Sequence, residues 1–370
     1  MGPFDHMPDR DVRLDACRGI ALWFVFMNHI PGNICGWLTL SRYGFSDTTE
    51  IFMFVSGLTC TMAYGHVLRS AGTWAMISHT LRRSWEIYAA FLLLTLFLVV
   101  VVHWMDADLA DETNVAIVLQ QPGEALSRAA ILQYRPVNTD VLPTFALFHL
   151  LFAPWLLLLL RFPNATLTAS ALLYGLVQIY GWNLRGWPTN DWYFNPLAWQ
   201  LLVTLGGWWT VEGRRRLAPV LTSRPVILLA AAYLIWSLAV TMSWVSPALE
   251  LAVPHFLKGL IYPIDKSGLD PLRVLHFLAL AVCVVNFVPA HWAPLRSRAL
   301  LAAVRCGENS LDVYCVGVLL SLAAYFVLRT VSGGVLAQVM VSAIGVALLV
   351  VFATLFTRFT RLAAPRTKLL

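Results

Sequence analysis

Arg13 to Asn33 reads RLDACRGIALWFVFMNHIPGN. Its middle, from Gly19 to Met27, is unbroken apolar sequence, and Pro31-Gly32-Asn33 supplies the stop. A polar residue at every second position is missing, so this is no half-buried strand. An apolar helix of this kind needs an apolar surrounding, and the rest of the chain says which. Across 370 residues, 59% are hydrophobic and 12% charged, about half the roughly 25% charged share of soluble domains. So few charges cannot cover a water-facing surface of that size, and the surrounding is a lipid bilayer. The 15 tryptophans and 19 prolines also exclude disorder and a simple coiled coil.

Apolar runs of roughly 20 residues, the length that crosses a bilayer, recur at 14–36, 46–67, 85–104, 140–160, 165–181, 195–211, 225–245, 271–289, 308–329 and 336–358. We read an all-α polytopic membrane protein with about ten transmembrane helices, in a single integral membrane domain over 1–370. The fifth and sixth runs are short and can equally be one broken element. Residues 1–9 form a polar start, flexible or extraneous, with no small-residue cleavage site, so the first helix reads as retained and not as a removed signal peptide. Residues 105–139 form the longest outer loop, whose Asp106, Asp108, Asp111 and Glu112 read as solvated surface.

With the N-terminus inside, the 26 Lys and Arg favour the inner side by more than two to one, while the carboxylates favour the outer side. This count places both termini in the cytoplasm. The net charge of +6 is the remainder of that division and reports orientation, not nucleic-acid binding. The six cysteines show no paired spacing, and Cys17, Cys60, Cys283 and Cys315 lie in apolar runs as small core residues. Neither a metal site nor a disulfide framework is expected.

Charges within spanning helices cost roughly 2.5–3.5 kcal/mol each on insertion scales, so each asks for a reason. Arg18 and His29 are eleven residues apart, three helical turns, and share one face of the first helix with a rise of roughly 16 Å between them. A guanidinium at the inner mouth suits a phosphate-bearing ligand, with Asp15 one turn away to pair with it. An imidazole farther in suits general-base work. The plainer readings are a snorkelling anchor for Arg18 and helix packing for His29; their common face favours function. In GFSDTTEIFMFVSGLT (Gly44–Thr59), Asp47 and Glu50 open the second helix. They read either as caps, with Ser46 or Asp47 at the N-cap, or as carboxylates that orient His29. The small pair Ser56-Gly57 reads as close helix packing. Farther along, Asp140 opens the fourth helix as cap or site residue. Asn195 and Gln200 sit in the aromatic WYFNPLAWQ, which reads as a membrane belt or a sugar platform. Arg273 and His276 begin the eighth helix one turn apart, and Arg305 precedes Glu308, Asn309, Ser310 and Asp312 on the inner side. No GxSxG-type elbow marks a nucleophilic serine.

The stretches quoted above, together with YRPVNTDVLP, PLRVLHFLALA and CGENSLDVYCVGVLLS, resemble the OpgC family, in order, over roughly 10–325. That family is similar to a branch of acyltransferase family three, whose Arg-to-His spacing is matched by Arg18 and His29. One departure is visible: the late histidine that many members carry after a GxxS motif is missing beyond Gly307–Ser310, where Gly317 stands.

The resemblance implies a bacterial inner-membrane O-acyltransferase that takes an acyl group, succinyl first, from cytoplasmic acyl-CoA to a hydroxyl of a periplasmic glucan. In that reading His29 is the base, assisted by Asp47 or Glu50, and Arg18 and Arg305 hold the CoA. Asp140, Asn195, Arg273 and His276 bind the glucan, and the remaining surface meets membrane lipids. Transfer within a ternary complex and an acyl-histidine relay both fit. The alternative class is a secondary transporter or glycan exporter, which the same composition allows but for which no paired broken helices are seen. A structural scaffold fits Arg18 and His29 less well.

Overall fold

The first helix, α1 (Val12–Asn28), begins at Asp11, whose carboxylate accepts from the Arg13 backbone N–H at 3.0 Å, with Asp15 in the first turn. It ends at His29, two residues before Pro31, so the run 14–36 is helical only in its first part. The remainder winds into two 3-10 turns, Ile34–Leu38 and Leu40–Arg42. The structure is a computed structural model that describes residues 11–105, 114–246, 250, 259, 261–289 and 292–363. The polar start 1–9 and the acidic residues Asp106, Asp108, Asp111 and Glu112 lie outside the described residues.

The second and third apolar runs belong to α2 (Thr48–Met105). Its 58 residues would reach about 87 Å as one rod, nearly three bilayer cores. Gly72, at φ 85° and ψ 179°, turns it into two arms, 48–71 and 73–105. Only glycine reaches that φ without strain. The connection expected between the two runs is thus helical on both sides of a single turning residue.

The chain continues through α3 (Ala116–Gln120), α4 (Pro122–Ala130), α5 (Val141–Arg161), α6 (Pro163–Tyr180) and α7 (Pro196–Trp208). A π-turn, Trp209–Gly213, leads into α8 (Arg214–Leu221), followed by α9 (Arg224–Ser243) and α10 (Pro271–Phe287). Last come α11 (Arg298–Glu308), α12 (Ser310–Thr330) and α13 (Val335–Ala363). Among the described residues there is no strand beyond one lone bridge, Arg185 to Asp191. Among the described residues, five helices, α2, α5, α9, α12 and α13, contain stretches long and apolar enough to cross a membrane. The chain is therefore an all-helical membrane protein. The fifth and sixth runs are separate helices, α6 and α7, and α1 and α10 are short at 17 residues each.

The chain forms two compact units. One gathers Met53–Leu229 and Pro254–Leu278. Its core interlocks α2 with α7: a Cβ on Gly57 would strike the Val203 backbone, and one on Gly206 the Phe54 carbonyl. The pair Ser56-Gly57 therefore packs helices, as small residues do in membranes. Cys60 is more than a core filler, since its Sγ lies 3.6 Å from His149 Nε2 while His149 Nδ1 meets the Phe145 carbonyl at 2.9 Å.

The other unit holds Pro8–Phe52, Ala230–Val253 and Ala279–Leu370. Here α1 and α11 touch backbone to backbone, with Gly19 against Ala303 and Gly307 against the Asp15 carbonyl. Each helix contributes two contact residues four apart, Asp15 and Gly19 on α1, Ala303 and Gly307 on α11, so one side of each meets the other across a full turn. Leu22, Phe26, Cys306, Val313 and Leu349 form the apolar core around that contact.

Candidate functional site

Arg18 lies on the uninterrupted α1 and His29 caps its end in helical backbone, at φ −78° and ψ −6°, so their common face and the roughly 16 Å rise follow from helix geometry. The tight α1–α11 crossing fixes the Arg18 end. Arg18 Nη1 stands 3.9 Å from Asp15 Oδ1, and both side chains are largely buried. At the other end His29 is the C-cap, its backbone N–H donating to the Val25 carbonyl at 2.9 Å. Its half-buried ring meets Tyr314 of α12 edge to face, with centroids 6.3 Å apart. The loop beyond is tied down as well. Asn33 Nδ2 donates to the Met27 carbonyl and to Ser342 Oγ, and Gln338 Oε1 accepts from the Ile34 N–H. Asn28 Oδ1 accepts from Thr39 and Ser41. The imidazole is thus carried by a helix end that α12 and α13 hold from the side.

Asp47 and Glu50 cap α2 reciprocally. Asp47 Oδ1 accepts from the Thr49 N–H at 2.8 Å, and Glu50 Oε2 accepts from the Asp47 N–H at 2.9 Å. The N-cap is Asp47, not Ser46. Glu50 is 0% exposed, a fully buried carboxylate whose field acts with little screening. Arg305 leaves α11 on the flank toward α13, where its Nη1 donates to Thr354 Oγ1 at 3.3 Å.

The remaining candidates lie in the other unit, where loops converge at the starts of α5, α7 and α10. Asp140 makes no side-chain cap to α5; its Oδ1 lies 3.4 Å from Arg135 Nε. The Arg135 head is buried, stands 4.9 Å from the Trp192 ring centroid, and donates to the Leu132 and Asp191 carbonyls. Burial pushes the Asp140 carboxyl up to about 6, against the opposing pull of Arg135. Burial likewise lowers the Arg135 guanidinium from its usual range. Lys266 lies over Tyr193 and Phe194, 5.9 and 5.5 Å from their centroids. It rides on a turn that Asp265 closes and that Trp199 and Tyr174 hold from α7 and α6.

Asn195 is committed to structure: Oδ1 accepts from the Leu197 N–H and Nδ2 donates to the Trp182 carbonyl. Trp192, Phe194 and Trp199 are buried in protein, so WYFNPLAWQ is a packed segment, with only Tyr193 well exposed. Arg273 and His276 are both buried in the first turns of α10. Among the described residues, no group of His, Cys, Asp and Glu is placed to hold a metal ion.

A family model described as OpgC protein matches residues 10–361, nearly the whole chain. The chain belongs to the OpgC family. Searches of the curated proteins and of the solved structures return no match. OpgC membership makes this a bacterial membrane transferase of the glucan-modifying, acyltransferase type.

Within this OpgC chain two features escaped the sequence. Arg135 and Lys266 were visible only as outer charges, because the aromatic rings they stand over, Trp192 for the one and Tyr193 and Phe194 for the other, lie far off along the chain. Thr354 and Arg358, beside Arg305, read as the tail of a spanning helix. A one-turn spacing of hydroxyl and guanidinium, Thr354 to Arg358, was the available signal.

Proposed function

We propose that this chain moves an acyl group, succinyl first among the donors, from cytoplasmic acyl-CoA to a hydroxyl of a periplasmic glucan. It works in the inner membrane with both termini in the cytoplasm. The observation that carries the reading is Arg18 and His29 on one face of α1, a cation for phosphates at one end and an imidazole three turns on. His29 takes the proton of the glucan hydroxyl, whose oxygen attacks the thioester carbonyl. The carbon–sulfur bond breaks, and the CoA sulfur leaves with the proton held on His29. The carbonyl end of α1 favours the transient imidazolium. Of Asp47 and Glu50, the fully buried Glu50 is the better assistant. Arg18 and Arg305 hold the CoA phosphates. Within the other unit, Asp140, Arg273 and His276 are the residues for glucan binding, and Asn195 holds the aromatic segment there.

The test is incubation of purified protein with labelled succinyl-CoA or acetyl-CoA and a β-glucan. Label in the glucan that disappears in His29→Ala supports the reading. No label with either donor favours a transporter or glycan exporter. Label on the protein without acceptor replaces the ternary complex by an acyl-histidine relay.

A further inference from the structure

Between α11 and α13 lies a cavity of about 270 Å³, lined among others by Leu301, Arg305, Glu308, Thr354, Thr357 and Arg358. The lining follows from helical spacing: Leu301, Arg305 and Glu308 succeed one another along one side of α11, and Thr354, Thr357 and Arg358 along one side of α13. Arg305 reaches across to Thr354, so one wall's guanidinium is held by the other wall's hydroxyl. Thr354 accepts there and keeps its own proton to donate. Thr357 is spent on structure, accepting from Asn309 and donating to the Ala353 carbonyl. Arg358 is exposed on the opposite wall. Two guanidinium groups against one carboxylate, Glu308, leave the cavity cationic.

The cavity is level with Arg18. On its other side α11 packs against α1, with Ala303 at Gly19 and Gly307 at Asp15, bracketing Arg18 in the sequence. The volume falls just under the roughly 300 Å³ where small-molecule sites begin, so it suits one end of a ligand and not the whole of an acyl-CoA. Paired guanidinium forks with a hydroxyl donor match the oxygens of a phosphate ester.

We propose that this cavity is a phosphate-ester subsite that grips its ligand through Arg305, Arg358 and Thr354. The inference rests on the acyl-CoA reading only for the source of the phosphate, which is then the 3′-phosphate end of the donor. An anionic lipid headgroup offers the same chemistry.

The experiment measures binding, not turnover, so its failure is separate from that of the transfer reading. Full-length detergent-purified protein is titrated with adenosine 3′,5′-bisphosphate, and in parallel its thermal shift with phosphatidylglycerol is followed. Arg305→Gln, Arg358→Gln and Glu308→Gln are compared with wild type. Both arginines are exposed, so the variants are expected to fold, and gel filtration checks that they do. The bisphosphate should weaken about tenfold or more in each arginine variant and tighten a few-fold in Glu308→Gln. A phosphatidylglycerol shift that is lost in the arginine variants, with bisphosphate binding unchanged, keeps the phosphate site and overturns its link to the donor. Arginine variants that alter neither ligand's effect overturn the subsite itself.

Discussion

The α1–α11 crossing and the Arg135–Asp140 cluster both place charge where water is scarce, but they do so by opposite means. At the crossing, glycines remove side-chain bulk so that two backbones touch, and Arg18 and Asp15 ride beside the seam on one short helix. In the cluster, two stretches of the chain, 132–140 and 191–192, wrap a guanidinium in an aromatic ring, two carbonyls and a carboxylate. The first arrangement is local and rigid, set by spacing along a helix. The second is assembled from distant segments and depends on every one of them. Charges in the first pair with each other along one helix, whereas Arg135 is satisfied by groups from two stretches of chain.

The contrast can be broken by mutation. The largest effect is expected for His29→Ala, a loss of about 10²–10⁴ in transfer rate with little change in melting temperature, read by labelled glucan and by thermal unfolding in detergent. An equal fall in stability would make His29 a packing residue. Arg135→Ala should do the reverse. At pH 8 it leaves an ionised carboxylate partly buried and costs on the order of 3–5 kcal/mol. That cost should shrink as pH falls toward about 6, the Asp140 value with Arg135 in place, because without Arg135 the carboxyl takes up its proton at a higher pH. Gly19→Val forces a branched side chain into the Ala303 backbone and should cost about 1–3 kcal/mol or more, with loss of transfer following the loss of fold.

A smaller effect sharpens the electrostatic side. The Asp140 carboxyl is held above its unfolded value, near 3.8, at about 6. Its contribution to stability is therefore most favourable below about 4 and is lost as pH rises to about 6. Melting curves of wild type against Asp140→Asn should diverge in that sense over this window, and a pH-independent difference would contradict it. The smallest change is expected at Arg82→Ala. Its ion pair with Glu86 is exposed, so a loss of about 0–1 kcal/mol is expected in the same assay.

What could be read from the chain follows the same division. The common face of Arg18 and His29 was legible because helical period is a local property. The caps at Asp47 and Glu50 were legible because a reciprocal cap spans four residues. Gly72 was not, since Ala71-Gly72-Thr73 carries no proline or second glycine to announce a turn within a helical run. Trp192 and Trp199 were read as belt residues because hydrophobicity alone does not separate burial in lipid from burial in protein; their packing depends on Arg135 and Ser267, which sequence leaves far away. The resemblance over 10–325 stops within α12, and the family match over 10–361 takes in α13 as well, yet neither points to the cavity beside Arg305.

The most direct measurement encloses a β-glucan in inverted vesicles bearing the full chain and supplies labelled succinyl-CoA outside. Covalent label is expected in the enclosed glucan with the wild-type protein and none above background with His29→Ala. Equal labelling by the two proteins would contradict it.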